Sequence, residues 1–205
     1  MDIRMKEAVR YLGYGHHAID ERTLELIQTS FKKLDECSSE RFVYRIFEIS
    51  IEGSNRIYLD NLLVCSEDLC KNLTGCREAV VFAATLGSEV DRLIKKYAIK
   101  DMSKAVVMQA CAAAKLEAYC DSIQSKLGYF RMRFSPGYGD FSLEYQKEIL
   151  ALLDSSKRIG LSMTEASMRV PTKSVTAIIG IGDIEECQKS GCEICTKKDC
   201  TFKRR

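Results

Sequence analysis

Over residues 21–36, Leu24, Ile27, Phe31 and Leu34 recur at three- and four-residue steps, with Glu25, Lys32, Lys33 and Asp35 between them. That period places the apolar side chains on one stripe of an amphipathic helix, and Asp20 is suited to its N-cap. Residues 4–12 predict a shorter helix. From Phe42 to Ile51 the period falls to two and β-branched and aromatic residues dominate. Ile57 to Val64 follows across Gly53-Ser54-Asn55, so the pair predicts a β-hairpin. Ala79 to Thr85 reads as a short buried strand, leading into a helix at Gly87-Ser88. There Ser88 and Asp91 have the spacing of a capping-box variant.

The longest periodic segment runs from Asp101 to Leu127. Ala105, Ala112, Leu116, Ile123 and Leu127 hold one face, and no Gly or Pro interrupts it. Its alanines (Ala110, Ala112, Ala113, Ala114 and Ala118) leave little bulk, so neighbouring backbone can come close. After the Gly-rich stretch RMRFSPGYGDFS a helix is expected over about Leu143–Leu153, and Val175 to Ile181 predicts a last strand. Helices and strands come in mixed blocks without a regular βαβ alternation, which favours α+β.

At 205 residues the chain suits one domain with an appendage. Lys and Arg number 31 against 29 Asp and Glu, a net of +2, which argues against a whole-surface polyanion binder. The longest nearly apolar run, Ala105 to Ala114, is half the ~20 residues a spanning helix needs. The charged N-terminus lacks an apolar core of the signal-peptide kind, so a cytoplasmic protein with reduced thiols is expected. Ten cysteines then point to metal or redox chemistry rather than disulfides. Six are scattered, whereas Cys187, Cys192, Cys195 and Cys200 fall within fourteen residues. The chain therefore divides into a body, 1–186, and a Cys-rich tail, 187–205. Four thiolates around a Cys-x2-Cys core can close a zinc site or hold an iron–sulfur cluster.

The first stretch with chemical promise is Arg133 to Asp140. Arg133 is a planar cation able to grip a carboxylate, Pro136-Gly137 turns the chain, and Tyr138 offers a flat face and a hydroxyl. Helix N–H groups near Ser142 form a weak anion site. An ordinary Pro-Gly turn with a surface Arg fits the same spacing. Gly13-Tyr14-Gly15 and Gly180-Ile181-Gly182 read as simple turns, since neither has the context of a phosphate loop. His16 and His17 read as a polar pair before a helix. Cys65, Cys70 and Cys76, flanked by leucines, read as buried small hydrophobes, as do Cys111 and Cys120 on the long helix.

Arg133-x-x-x-Gly137-Tyr138 resembles the mark of the reactivation domain of cobalamin-dependent methionine synthase. Glu117-Ala118-Tyr119-Cys120-Asp121 looks like the Glu-bearing helix before that motif. Met163-Thr164-Glu165, then Pro171-x-x-Ser174-Val175, looks like the segment after it. The resemblance spans about Ala110 to Gly180, and the length and Cys-rich end look like the small free-standing versions of this domain. It implies a mixed or antiparallel sheet with flanking helices. It also implies S-adenosylmethionine binding and re-methylation of cob(II)alamin with an electron from a reduced redox protein. Carried over, Arg133 takes the ligand's carboxylate and Glu117 its ammonium. Pro136 and Gly137 line the pocket, and Tyr138 faces the corrinoid in the catalytic position. The Asp-x-His-x-x-Gly signature of a corrinoid carrier is absent, so cobalamin is expected on a partner, a separate cobalamin-dependent methionine synthase. An electron-consuming reaction favours iron–sulfur over zinc in the tail. The competing classes are a nucleic-acid-binding module with a zinc knuckle, and a structural module clamped by zinc. The slightly acidic body, net −2 when the tail carries +4, argues against nucleic acid. No membrane partner is expected.

Overall fold

The computed structural model describes residues 2–14, 18–128 and 131–182. In chain order the elements are α1 (Ile3–Tyr11), α2 (Glu21–Cys37), β1 (Arg41–Glu52), β2 (Arg56–Leu59), β3 (Leu62–Cys65), α3 (Glu67–Leu73), β4 (Glu78–Thr85), α4 (Ser88–Lys100), α5 (Met102–Leu127), α6 (Tyr145–Leu152), α7 (Ser155–Ile159), β5 (Ser162–Met163), β6 (Arg169–Val170) and β7 (Ser174–Ile181). Five strands form one antiparallel sheet in the order β3-β2-β1-β4-β7, and β5 pairs with β6 apart from it. The α+β architecture expected from the sequence is thus the observed one.

Strand β4 explains why the sheet needs cover on both sides. Val80, Phe82 and Ala84 point into a layer built by α1, α2, α4 and α5, whereas Ala79, Val81 and Ala83 point into a second layer with α3, α6 and α7. Its uninterrupted apolar run is the sequence of a doubly buried strand. The alanines of α5 do what small residues permit. Ala110, Ala112 and Ala114 are buried, and α1, α2 and α4 all pack against this helix. In β1 only one face is packed: Val43 and Phe47 are buried while Phe42, Tyr44 and Ile46 are exposed.

Four expectations change in the structure. The run Ile57–Val64 is two strands, because Asp60 takes a left-handed φ of 54° and folds β3 back on β2. Helix α3 occupies the leucine-flanked cysteine region, capped by Ser66, whose side chain accepts from the Leu69 N–H. Consequently Cys70 is buried, but Cys65 is exposed and Cys76 half-exposed. Helix α4 has Gly87 at its N-cap and no side-chain cap. The Asp91 carboxylate instead accepts from the backbone N–H and hydroxyl of Thr172, at 2.7 and 2.6 Å, tying α4 to the loop before β7. Finally, Gly180 lies within β7, paired with Ala79, and is not in a turn. Asp20 does cap α2, accepting from the Thr23 N–H at 2.8 Å.

Candidate functional site

The residues after α5 run back along the open edge of β7. Phe134 donates to Ile178 O at 2.9 Å and Ile178 donates to Phe134 O at 2.8 Å, an antiparallel bridge. Alternation along this segment sends Phe134 into the layer of α3 and α6 and turns Arg133 toward α5. On α5, Glu117, Asp121 and Gln124 stand four and three residues apart, which puts them on one stripe. Arg133 meets all three. Its Nη2 donates to Glu117 Oε2 at 2.8 Å and to Asp121 Oδ1 at 2.7 Å, and its Nη1 donates to Gln124 Oε1 at 2.9 Å. Gln124 also donates to Arg131 O at 2.6 Å, which fixes the segment against the helix.

Burial opposes the Arg133 charge, but Cys120, Asp121 and Glu117 outweigh it and raise the guanidinium above its ordinary value. One cation faces two carboxylates, so the cluster is net negative and suits a ligand bearing its own cation. The two acids are not equivalent: the Glu117 side chain is 31% exposed and that of Asp121 63%. A ligand carboxylate entering at Arg133 would displace Asp121 more readily, since Asp121 returns to water at little cost. Nε of Arg133 has no hydrogen-bond partner among the described residues and remains available to such a ligand.

Beyond Arg133 the chain turns tightly. Tyr138 donates to Ser135 O at 3.0 Å, Gly137 to Phe141 O at 2.7 Å, and Phe141 to Tyr138 O at 2.9 Å. Gly137 has φ 96°, the left-handed region where a side chain is strained, and Pro136 before it is buried. The Tyr138 ring, 52% exposed, meets Phe134 edge-on at 5.9 Å, and Phe134 stacks on the buried Phe141 at 6.3 Å. Tyr138 is therefore presented at the surface by an apolar wedge beneath it. Arg169, from β6, is close enough for Tyr138 to favour its charge, although burial lowers its basicity. Its Nη1 donates to Gln146 Oε1 at 3.2 Å, and no carboxylate reaches it among the described residues.

Asp140 locks this turn to α3. Its carboxylate accepts from Ser66 Oγ, from the Glu67 N–H at 2.7 Å and from the Asp68 N–H at 3.1 Å, the free donors of a helix start. The Ser66 hydrogen bond above all, with those two N–H groups, lowers the Asp140 carboxyl below its usual value. A depressed folded value gives stabilisation that is complete above the unfolded carboxyl range, about pH 4, and lost as pH falls through the folded value. Asp140→Ala should accordingly lower Tm at pH 7, with a difference from wild type that narrows under acid. Thermal melts at the two pH values check this, and a gap that persists unchanged in acid would assign the effect to packing.

Glu117, Arg133, Pro136, Gly137 and Tyr138 are thus neighbours along one edge of the fold. Glu117 and Arg133, expected at opposite charges of a zwitterion, hold each other here. Asp121 and Gln124 belong to the same cluster and went unremarked in the sequence, although their spacing from Glu117 carried the signal. The N–H groups near Ser142 offer less than expected: α6 begins at Tyr145, and the Ser142 hydroxyl accepts from the Glu144 N–H. Cys187, Cys192, Cys195 and Cys200 lie outside the described residues, as do His16 and His17. Among the described residues no group of three or more His, Cys, Asp or Glu is placed to hold a metal ion, and no helix is long and apolar enough to cross a membrane. Surface grooves beside Arg4, Phe31 and Asp35, and beside Ile46 and Tyr58, include neither Arg133 nor Tyr138.

An antiparallel five-stranded sheet, helices on both faces and a turn bridged to its outer strand define the class of fold. No family model matches the chain, and no curated protein matches its sequence. Among solved structures it is similar to a crystal structure of the MetH reactivation domain bound to AdoHcy. The TM-score is 0.61 and the identity 16%, over 86% of this chain and 75% of that one. The likeness is one of fold.

Proposed function

We propose that the chain binds S-adenosylmethionine and acts as an accessory protein in the reductive methylation of cob(II)alamin held by a separate cobalamin-dependent methionine synthase. The observation that carries this reading is the contact of Arg133 with Glu117 beside the Pro136-Gly137-Tyr138 turn. It occurs on a fold shared with a domain whose crystal structure holds AdoHcy. In this reading Arg133 exchanges Asp121 for the ligand's carboxylate, and Glu117 turns to its ammonium. Pro136 and Gly137 line the pocket, and Tyr138, exposed on its aromatic wedge, meets the corrinoid. Cobalamin, brought by the partner, supplies the cobalt that accepts the methyl group, and a reduced redox protein supplies the electron. The four tail cysteines form one metal centre, an iron–sulfur cluster in preference to zinc because zinc carries no electron. The setting is cytoplasmic.

The test is an assay with S-adenosylmethionine, a low-potential reductant and a cob(II)alamin-loaded methionine synthase lacking its own reactivation domain. Methylcobalamin should form only when this chain is added, and the chain alone should make no methionine. Turnover of homocysteine without any corrinoid protein would overturn the accessory reading. Anaerobically purified chain should be brown; a colourless chain with one zinc would remove the electron-relay role of the tail.

A further inference from the structure

Arg131 is only 7% exposed, yet among the described residues no carboxylate lies within ion-pair distance of it. Its Nη1 donates to the backbone oxygen of Asn72 at 2.7 Å, and its Nε has no hydrogen-bond partner. A buried cation is costly unless an anion faces it. The group that faces it is a thiol. Cys76 Sγ and Arg131 Nη2 stand 3.3 and 3.5 Å from the point a β-carbon on Gly182 would occupy. At Gly180 such a carbon would lie 2.6 Å from Cys76 Sγ and 3.1 Å from Arg131 Cδ. Two glycines on the same face of one strand end therefore clear the space in which sulfur and guanidinium meet. Gly180-Ile181-Gly182, unremarkable as a turn, has this use in the strand.

The other described cysteines lack the arrangement. Burial pushes the thiols of Cys111 and Cys120 up to about 12, and burial also raises those of Cys37 and Cys70. Cys120 is instructive: Arg133 favours its thiolate, but Glu117, Asp121 and above all burial prevail. Cys76 is half-exposed, so a reagent can reach it. The other charges beside it along the chain, Arg77 and Glu78, are both exposed to solvent.

We propose that Cys76 is a reactive thiolate, with Arg131 as its fixed counter-charge, that takes soft electrophiles of the hydroperoxide class. In that reaction the sulfur attacks one peroxide oxygen: an S–O bond forms, the O–O bond breaks, and two electrons pass from sulfur to the departing oxygen. That oxygen leaves as hydroxide and collects a proton as water, and Cys76 becomes a sulfenic acid. The site does not depend on S-adenosylmethionine binding, since Arg133 and Arg131 engage different partners.

Timed iodoacetamide labelling of the reduced full-length chain at neutral pH, read per cysteine by mass spectrometry, tests the proposal. Exposed Cys65 is the internal reference. Cys76 should be alkylated about five- to tenfold faster than Cys65, the scale expected for a thiolate stabilised by an adjacent arginine. Arg131→Met should abolish that advantage and leave Cys65 unchanged, whereas Arg131→Lys should retain part of it. After hydrogen peroxide, dimedone should mark Cys76 ahead of Cys65. Wild-type labelling of Cys76 at or below the rate of Cys65 overturns the proposal without recourse to any variant, and so does an Arg131→Met chain in which Cys76 reacts as before.

Discussion

Arg133→Ala is expected to weaken S-adenosylmethionine binding by roughly 1.5–3 kcal/mol, the scale of a charge-assisted hydrogen bond left unmade. That is about a ten- to hundredfold rise in Kd. Without Arg133 the ligand's carboxylate would face Glu117 and Asp121 directly, and both repel it. Arg133→Lys should recover only part of the loss, because an ammonium cannot span Gln124, Glu117 and an incoming carboxylate as a planar fork does. The fold should survive the change, since Asp121 is largely solvated and Glu117 partly so. Titration calorimetry of the two variants beside wild type reads the effect. Equal affinity in wild type and Arg133→Ala would remove Arg133 from the binding site.

A larger effect on stability is expected from Phe141→Ala. Phe141 is 1% exposed and stacks between Phe134 and Tyr145, with ring centroids at 6.3 and 5.6 Å. Its main chain also closes the turn that carries Gly137 and Tyr138. Truncating such a ring costs about 3–5 kcal/mol through lost burial and the cavity left behind. The same change withdraws the wedge under Tyr138. Denaturant unfolding should show the destabilisation, and ligand affinity measured well below Tm should fall as well. Phe141→Leu, which refills most of the volume, should lose much less of both. A Phe141→Ala chain as stable as wild type would mean that the aromatic stack does not support the turn.

Much of this fold was legible because period and burial agree in it. The stripe of α2 and the Ala-rich face of α5 stand where apolar spacing put them, and the alternation of β1 reports its single packed face. The misreadings are local. At Asp60-Asn61 the apolar run continues through the bend, so hydropathy alone shows one strand, and only the turn chemistry of Asp-Asn marks two. Helix α3 has seven residues, too few to establish a period, and is stabilised by Asp140 from seventy-two residues or more away along the chain. Such tertiary support leaves no local trace. Asp91 shows the same limit, for its spacing suggested a cap on its own helix and its partner is Thr172.

The candidate site was legible in part for a similar reason. Arg133, Gly137 and Tyr138 form a compact motif, and Glu117 sits on a helix that can be read from period alone. That Arg133 spans Glu117, Asp121 and Gln124 required the return of the chain along β7, a pairing of residues forty-four apart, Phe134 with Ile178. The Cys76–Arg131 approach depends on the same return and on glycines at 180 and 182, whose role appears only once a side chain is imagined there.

Binding of S-adenosylmethionine to the purified wild-type chain, measured by titration calorimetry, tests the central claim most directly. The account predicts saturable binding of one ligand per chain, lost or strongly weakened in Arg133→Ala and retained in Arg131→Met. No saturable binding to a chain shown to be folded would contradict it.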